Sequence, residues 1–334
     1  MKKIILHITF IFLLAEITSA QDVHFSQFDF SPLHQSAANT GNFNGDYRFT
    51  AIHRNQYRSV TVPYKSIGAS FDMNHNLTDE KMSYWSSGIM FEQDKTGDAG
   101  YSTLDIELSV AWNRFLDSDK KHRITLGLQP GWFQNGLDFS ELYFGNQYDN
   151  GSFDSNLPTN ENPDQTKNNN FNLNAGLGYR YLFSEESDMQ IILGMNHLNK
   201  PNLSYYGDKA PLFMRFTALA MFNIRMSERL YLLPQLLYYN QNKFNQINGG
   251  ANLSFRSADT KNYRFLAGVF YRNKDAVIGR LGAGYNNLDI GFAYDFNISD
   301  LKRASNGRGA YEIALTYIIH TVKPLKKNPP CPVY

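Results

Sequence analysis

From residue 46 onward, apolar and polar positions alternate in runs separated by turn-forming clusters. In Leu104-Asp105-Ile106-Glu107-Leu108-Ser109-Val110-Ala111-Trp112-Asn113 every even position is apolar, and its odd neighbours are acidic, small or amide. A period of two places Leu104, Ile106, Leu108, Val110 and Trp112 on one face of a β-strand. The same holds for Leu288, Ile290, Phe292, Tyr294 and Phe296, with Asp289, Gly291, Ala293 and Asp295 behind them, and for Tyr311, Ile313, Leu315, Tyr317 and Ile319. The pattern predicts strands over 46–58, 64–73, 84–94, 102–115, 121–134, 170–183, 188–196, 213–225, 229–240, 244–256, 262–273, 276–286, 287–297 and 309–321.

These strands are too long for a soluble β-sandwich, whose strands usually run about 5–6 residues. They suit a tilted membrane strand of about 9–11 residues with rims. Aromatic residues gather near strand ends (Tyr47, Tyr57, Trp112, Trp132, Tyr179, Tyr285), as interfacial girdles require. Loop lengths alternate too. Short gaps such as 116–120 and 184–187 follow even-numbered strands, and the long ones, 135–169, 197–212 and 298–308, follow odd ones. That is the plan of an all-β transmembrane outer-membrane β-barrel of about 14 antiparallel strands, with short periplasmic turns, longer outer loops and periplasmic termini. In the strand at 229–240 both faces are apolar and Pro234 interrupts the ladder, and His53 and Asn55 fall on the face that should meet lipid.

Composition and charge narrow the reading further. Lys2-Lys3, the apolar run Ile4–Leu14 and Thr18-Ser19-Ala20 have the form of a signal peptide over 1–20. Removing Lys2, Lys3 and Glu16 with it brings the 32 basic and 31 acidic residues to 30 each, so nothing invites nucleic acid. The single cysteine, Cys331, excludes an intrachain disulfide and reads as a spare thiol in a periplasmic tail at 322–334. His24, His34, His53, His75, His122, His197 and His320 are scattered singly, without metal-ligand spacing. No nucleophile elbow is present. The oxygen-rich stretch with Asp149, Asn150, Asp154, Asn156 and Asn160 lacks the EF-hand pattern and reads as a solvated loop. The expectation is a protein with no catalytic, cofactor or metal residues, not an enzyme.

If the apolar face points to lipid, the lumen receives Arg48, Arg54, Arg58, Glu92, Asp105, Glu107, Arg123, Arg180, Arg215, Arg256, Arg264, Arg272, Arg280, Asp289, Asp295 and Glu312. Both signs are present, which favours cross-bracing of the wall over a selective ring. Arginine is in excess, which leaves room for an anionic segment inside. Residues 21–45 precede the first strand and carry Phe25, Phe28, Phe30, Pro32 and Leu33. Two placements are open for them: a small plug in the periplasmic mouth, or a segment resting on the rim or on a partner.

The N-terminal Gln21-Asp22-Val23-His24-Phe25-Ser26-Gln27-Phe28, then Ser31-Pro32-Leu33 and Ala38-Asn39-Thr40-Gly41, resembles the opening of the PorP/SprF family of type IX secretion. Tyr47-Arg48 through His53-Arg54-Asn55-Gln56-Tyr57, Phe265 to Arg272, Gly291-Phe292-Ala293-Tyr294-Asp295, Ile298-Ser299-Asp300-Leu301, Glu312-Ile313 and Cys331-Pro332-Val333-Tyr334 continue the likeness. Val23 and Ala37 stand where the family usually has proline. The resemblance implies a Bacteroidetes outer-membrane accessory component of secretion or gliding. Such a protein would bind and help export or anchor a secreted surface adhesin through the adhesin's C-terminal sorting domain, and would contact other secretion subunits and outer-membrane lipid. The alternative is an outer-membrane channel or a substrate-specific, FadL-like transporter.

Overall fold

A computed structural model of the chain describes residues 22–321 other than 59, 61, 76–80, 150 and 258–261; the expected leader at 1–20 and tail at 322–334 lie outside the described residues. The strands are β1 (Tyr47–Gln56), β2 (Tyr64–His75), β3 (Ser83–Thr96), β4 (Tyr101–Phe115), β5 (His122–Gly136), β6 (Tyr148–Asp149), β7 (Ser152–Phe153), β8 (Lys167–Ser184), β9 (Ser187–Asn196), β10 (Arg215–Arg225), β11 (Leu230–Gln241), β12 (Phe244–Arg256), β13 (Tyr263–Arg272), β14 (Ala276–Tyr285), β15 (Leu288–Asn297) and β16 (Arg308–Ile319). All but β6 and β7 form one closed barrel in which each strand pairs with its sequence neighbour, and β1 closes on β16 with Tyr47 opposite Ile319. β6 and β7 make a small hairpin in the loop between β5 and β8.

Burial is inverted relative to a water-soluble fold. On β4, Leu108 is 59% exposed while Glu107, one residue away, is 0% exposed, and Ser109 and Asn113 are equally enclosed. On β15, Ile290, Phe292 and Phe296 are exposed and Asp295 is buried. An apolar outer wall around a polar interior is stable only where hydrocarbon replaces water outside. Closure then satisfies the backbone groups that no water could reach. No helix among the described residues is long and apolar enough to cross a membrane.

Two prolines coincide with breaks in the pairing of the wall, whose register also shifts near Tyr294–Phe296 and Leu182–Ser184. The β10–β11 register runs to Met221–Gln235 and resumes at Ile224–Leu232, skipping the position of Pro234. The β4–β5 register likewise skips from Glu107–Gly131 to Val110–Leu128, beside Pro130. Proline has no N–H to give the ladder, so each site loses its rung on one side only.

One end of the barrel carries both ends of the wall, Tyr47 and Ile319, and the short connections after β4, β8, β10 and β14; the other carries the long connections 137–166, 197–214 and 298–307. We refer to them as the terminal end and the loop end. Two of the long connections are packed together: the Asp164 N–H donates to the Tyr205 carbonyl (2.9 Å), and Phe139 stacks edge-on against Tyr205.

Candidate functional site

Fourteen strands enclose more space than wall side chains fill; about eight is the number at which they just meet. The remaining space here is taken by residues 22–45. They begin at the loop end, where Asp22 meets His197 (2.8 Å) and Arg215 (3.1 Å). They leave at the terminal end, where Asp46 leads into β1. Phe25, Ser26, Phe28, Leu33, Gln35, Ala37, Ala38 and Thr40 are each at most 1% exposed. The segment thus runs the length of the lumen and is neither confined to one mouth nor laid on the rim. Burying Phe25, Phe28 and Leu33 contributes roughly 1.5–3 kcal/mol each, which a solvated rim would not supply.

Three anchors hold it. Near the loop end, Ser26 sits at the centre of a buried ion network. Its hydroxyl accepts from Arg54 (2.7 Å) and from Arg272, and donates to Asp295 (2.7 Å). Asp295 also pairs with Arg54 (3.0 Å) and Arg272 (2.9 Å). Glu312 takes Arg54 (2.6 Å) on the same oxygen that accepts from the Ser26 N–H (2.6 Å), and its second oxygen accepts from the Gln27 N–H (2.8 Å). Arg280 donates to the Ser26 carbonyl, pairs with Asp29 (3.0 Å) and lies over the rings of Phe28 and Phe270.

The middle anchor is steric. Gly127, Gly176 and Gly194 lie side by side on β5, β8 and β9, with Gly127 opposite Gly176 and Gly176 opposite Gly194. A Cβ on Gly127 would stand 2.4 Å from the Ala37 carbonyl carbon, one on Gly176 2.7 Å from the Ala38 nitrogen, and one on Gly194 2.6 Å from the Gln35 oxygen. Here the wall gives up side chains so that the segment's backbone can lie against it.

At the terminal end Arg48 makes a two-pronged bond to Asp72 (2.9 and 2.8 Å) and reaches the Asn39 carbonyl (2.9 Å), while the Gly41 N–H donates to Asp72 (2.7 Å). Gly41 has φ +72°, a left-handed conformation that an L side chain rarely takes.

The inward parity read from the sequence places most of the charged lumen residues correctly: Arg48, Arg54, Glu92, Glu107, Arg123, Arg215, Arg272, Arg280, Asp295 and Glu312 are all buried. Arg58 is a correction. β1 ends at Gln56 and Tyr57 turns at φ +59°, so Arg58 is exposed beyond the wall. The cross-bracing also differs from an empty-lumen scheme. The arginine excess is met in large part by the segment, through Asp22, Asp29 and the carbonyls of Ser26, His34 and Asn39. The glycine row escaped sequence reading, although its signal was there: three glycines on inward positions of strands that follow one another in the barrel. Among the described residues no group of three or more His, Cys, Asp or Glu side chains is placed to hold a metal ion.

A closed antiparallel wall, apolar outside and polar within, whose own N-terminal segment fills the lumen, defines an outer-membrane β-barrel protein. The family model for the type IX secretion system membrane protein PorP/SprF matches residues 17–317, and the chain belongs to that family. A comparison with curated proteins gives no match. Among solved structures, the monoaromatic hydrocarbon channel TodX, as a deltaS2 mutant, is similar at TM-score 0.52 and 8% identity, over 87% of this chain and 94% of that one. The monoaromatic hydrocarbon channel CymD gives 0.50 and 12%, over 91% and 95%. A FadL homologue from Pseudomonas aeruginosa gives 0.50 and 10%, over 85% and 93%. At such identities the likeness is one of fold.

Proposed function

We propose that this chain is a non-enzymatic accessory component of type IX secretion that binds a secreted surface adhesin through the adhesin's C-terminal sorting domain and helps to export or anchor it. The observation that carries this reading is the occupied lumen. A segment fixed at both ends and along its middle leaves no path for a protein through the wall, so cargo contact falls to the surfaces outside it. On this reading the loop end faces outward and the terminal end faces the periplasmic machinery. The packed connections 137–166 and 197–214 then form the platform, with Tyr143, Tyr148 and Phe153 exposed on it. Exposed aromatic residues on a braced base are the usual anchors of protein contact.

The test is recovery of cargo with tagged barrel from cells that express both. The full chain should retain the adhesin, and replacing residues 143–153 by a short Gly-Ser linker should reduce recovery several-fold with the barrel still folded. Equal recovery from both, or none from the intact chain, would end this assignment. A small-solute channel is the second reading. It is favoured by cavities of about 230 Å³ and 300 Å³ that flank the segment towards the loop and terminal ends and is decided by solute uptake into proteoliposomes.

A further inference from the structure

A cavity of about 300 Å³ lies on the terminal side of the lumen, beyond the Arg280–Asp29 pair. It lies between Phe30 of the segment and the inward faces of β11–β16. Gly282, Gly284 and Gly291 line it; the room beside Gly284 is taken by the Arg264–Asp289 pair and that beside Gly291 by Gln27 and Phe30. Its size falls at the lower end of the range for small-ligand sites.

The chemistry of its lining is uneven. Arg264 is matched by Asp289 (2.9 Å) and Arg280 by Asp29 (3.0 Å). The third guanidinium, Arg256, lies 3.7 Å over the Tyr231 ring and has no carboxylate partner among the described residues. Its Nε is buried without a hydrogen-bond partner. On the same strand, two residues into the lumen, Ser254 is buried, and Asn252, four residues in, is 0% exposed with both amide atoms unpartnered. Buried polar groups are nearly always paired, and an unpaired amide and an unmatched cation that line one cavity mark a place where a ligand supplies missing groups. The other surface is apolar, from Phe30, Leu233 and Leu266.

We propose that this cavity binds a carboxylate carried on a short apolar body, entering from the terminal end. The carboxylate faces Arg256, and the apolar body runs inward against Leu233 and Leu266 towards Asn252. The chemistry fits a chain-terminal carboxylate following an apolar residue, and equally a free aliphatic acid. The site is separate from the cargo platform, so its failure leaves the proposed function untouched.

The experiment is calorimetric titration of the full chain in a non-ionic detergent with N-acetyl-Leu-Phe, its C-terminal amide, octanoate and octanamide. Saturable binding of either acid, with its amide at least about tenfold weaker, is the expected result, since a charge-assisted bond is lost. Which acid binds then assigns the source. Arg256→Gln should weaken the acid about tenfold or more. Gly282→Phe, or Leu266→Trp should the first variant not fold, should abolish binding by filling the space with the charge retained. Amides that bind as well as the acids, no saturable binding of either acid, or undiminished binding in these variants would overturn the proposal.

Discussion

Removing residues 22–42 is expected to convert a barrel that conducts little into an open, steadily conducting pore. The wall hydrogen bonds do not depend on the segment, because each strand pairs with its neighbours and β1 closes on β16. The lumen does depend on it: Phe25, Phe28 and Leu33 leave with it, and the partners of Arg215 and Arg280 go too. Water would fill the space, as it does in barrels of about 16 strands. Single-channel recording in planar bilayers reads this directly. A milder variant, Gly127→Leu, should displace only the middle of the segment, because the new side chain must occupy the place of the Ala37 carbonyl. Brief or partial openings are the expected outcome. Conductance unchanged by the deletion would mean that the segment seals nothing.

Asp295→Ala is expected to be the most destabilising single substitution in the lumen. Two guanidiniums, Arg54 and Arg272, would lose a shared carboxylate inside a space where both are no more than 2% exposed. Breaking a buried pair by removing one partner costs about 3–5 kcal/mol, and the loss here is held towards the lower figure because Arg54 keeps Glu312 (2.6 Å) and Arg272 keeps Asp275 (2.9 Å). The Ser26 hydroxyl loses its acceptor in the same step. The Arg225–Glu186 pair gives the contrast. It lies at the terminal end with its side chains 39% and 42% exposed, and Glu186→Ala should cost no more than about 1 kcal/mol. Urea midpoints of the folded barrel, followed by its heat-modifiable gel mobility, separate the two.

Much of the wall was legible because alternation is a local property. The expected strand at 244–256 coincides with β12, and 102–115 with β4 to one residue. β8 is longer than expected, starting at Lys167, because Lys167, Asn168 and Asn169 show no alternation and are held as strand by pairing with Gly136, Asn135 and Gln134. The lumen was legible only as a set of inward positions. Parity places Arg54 and Asp295 inside, but which of them meet depends on how strands 241 residues apart are brought round the closure. The course of residues 22–45 was not legible at all. Apolar residues at Phe25, Phe28 and Leu33 would serve a rim contact as well as a core. What decides between the two is a glycine row and a Ser26 hydroxyl whose roles exist only in three dimensions.

The family motifs gain a physical meaning from this arrangement. Phe25-Ser26-Gln27-Phe28, Arg54, Arg272, Asp295 and Glu312 come from motifs spread along the chain, yet they meet in one buried network around Ser26. The motifs therefore describe a segment and the socket that receives it.

The most direct measurement of that claim is disulfide trapping between the segment and the wall in a Cys331→Ser background. The Thr40 and Ser109 hydroxyls are hydrogen-bonded to each other in the lumen. A Thr40→Cys, Ser109→Cys chain should close one disulfide in the folded barrel and show no free thiol. Two thiols that remain reduced under oxidising conditions, and that react with a polar maleimide added to folded barrels, would place residue 40 outside the wall and contradict the account.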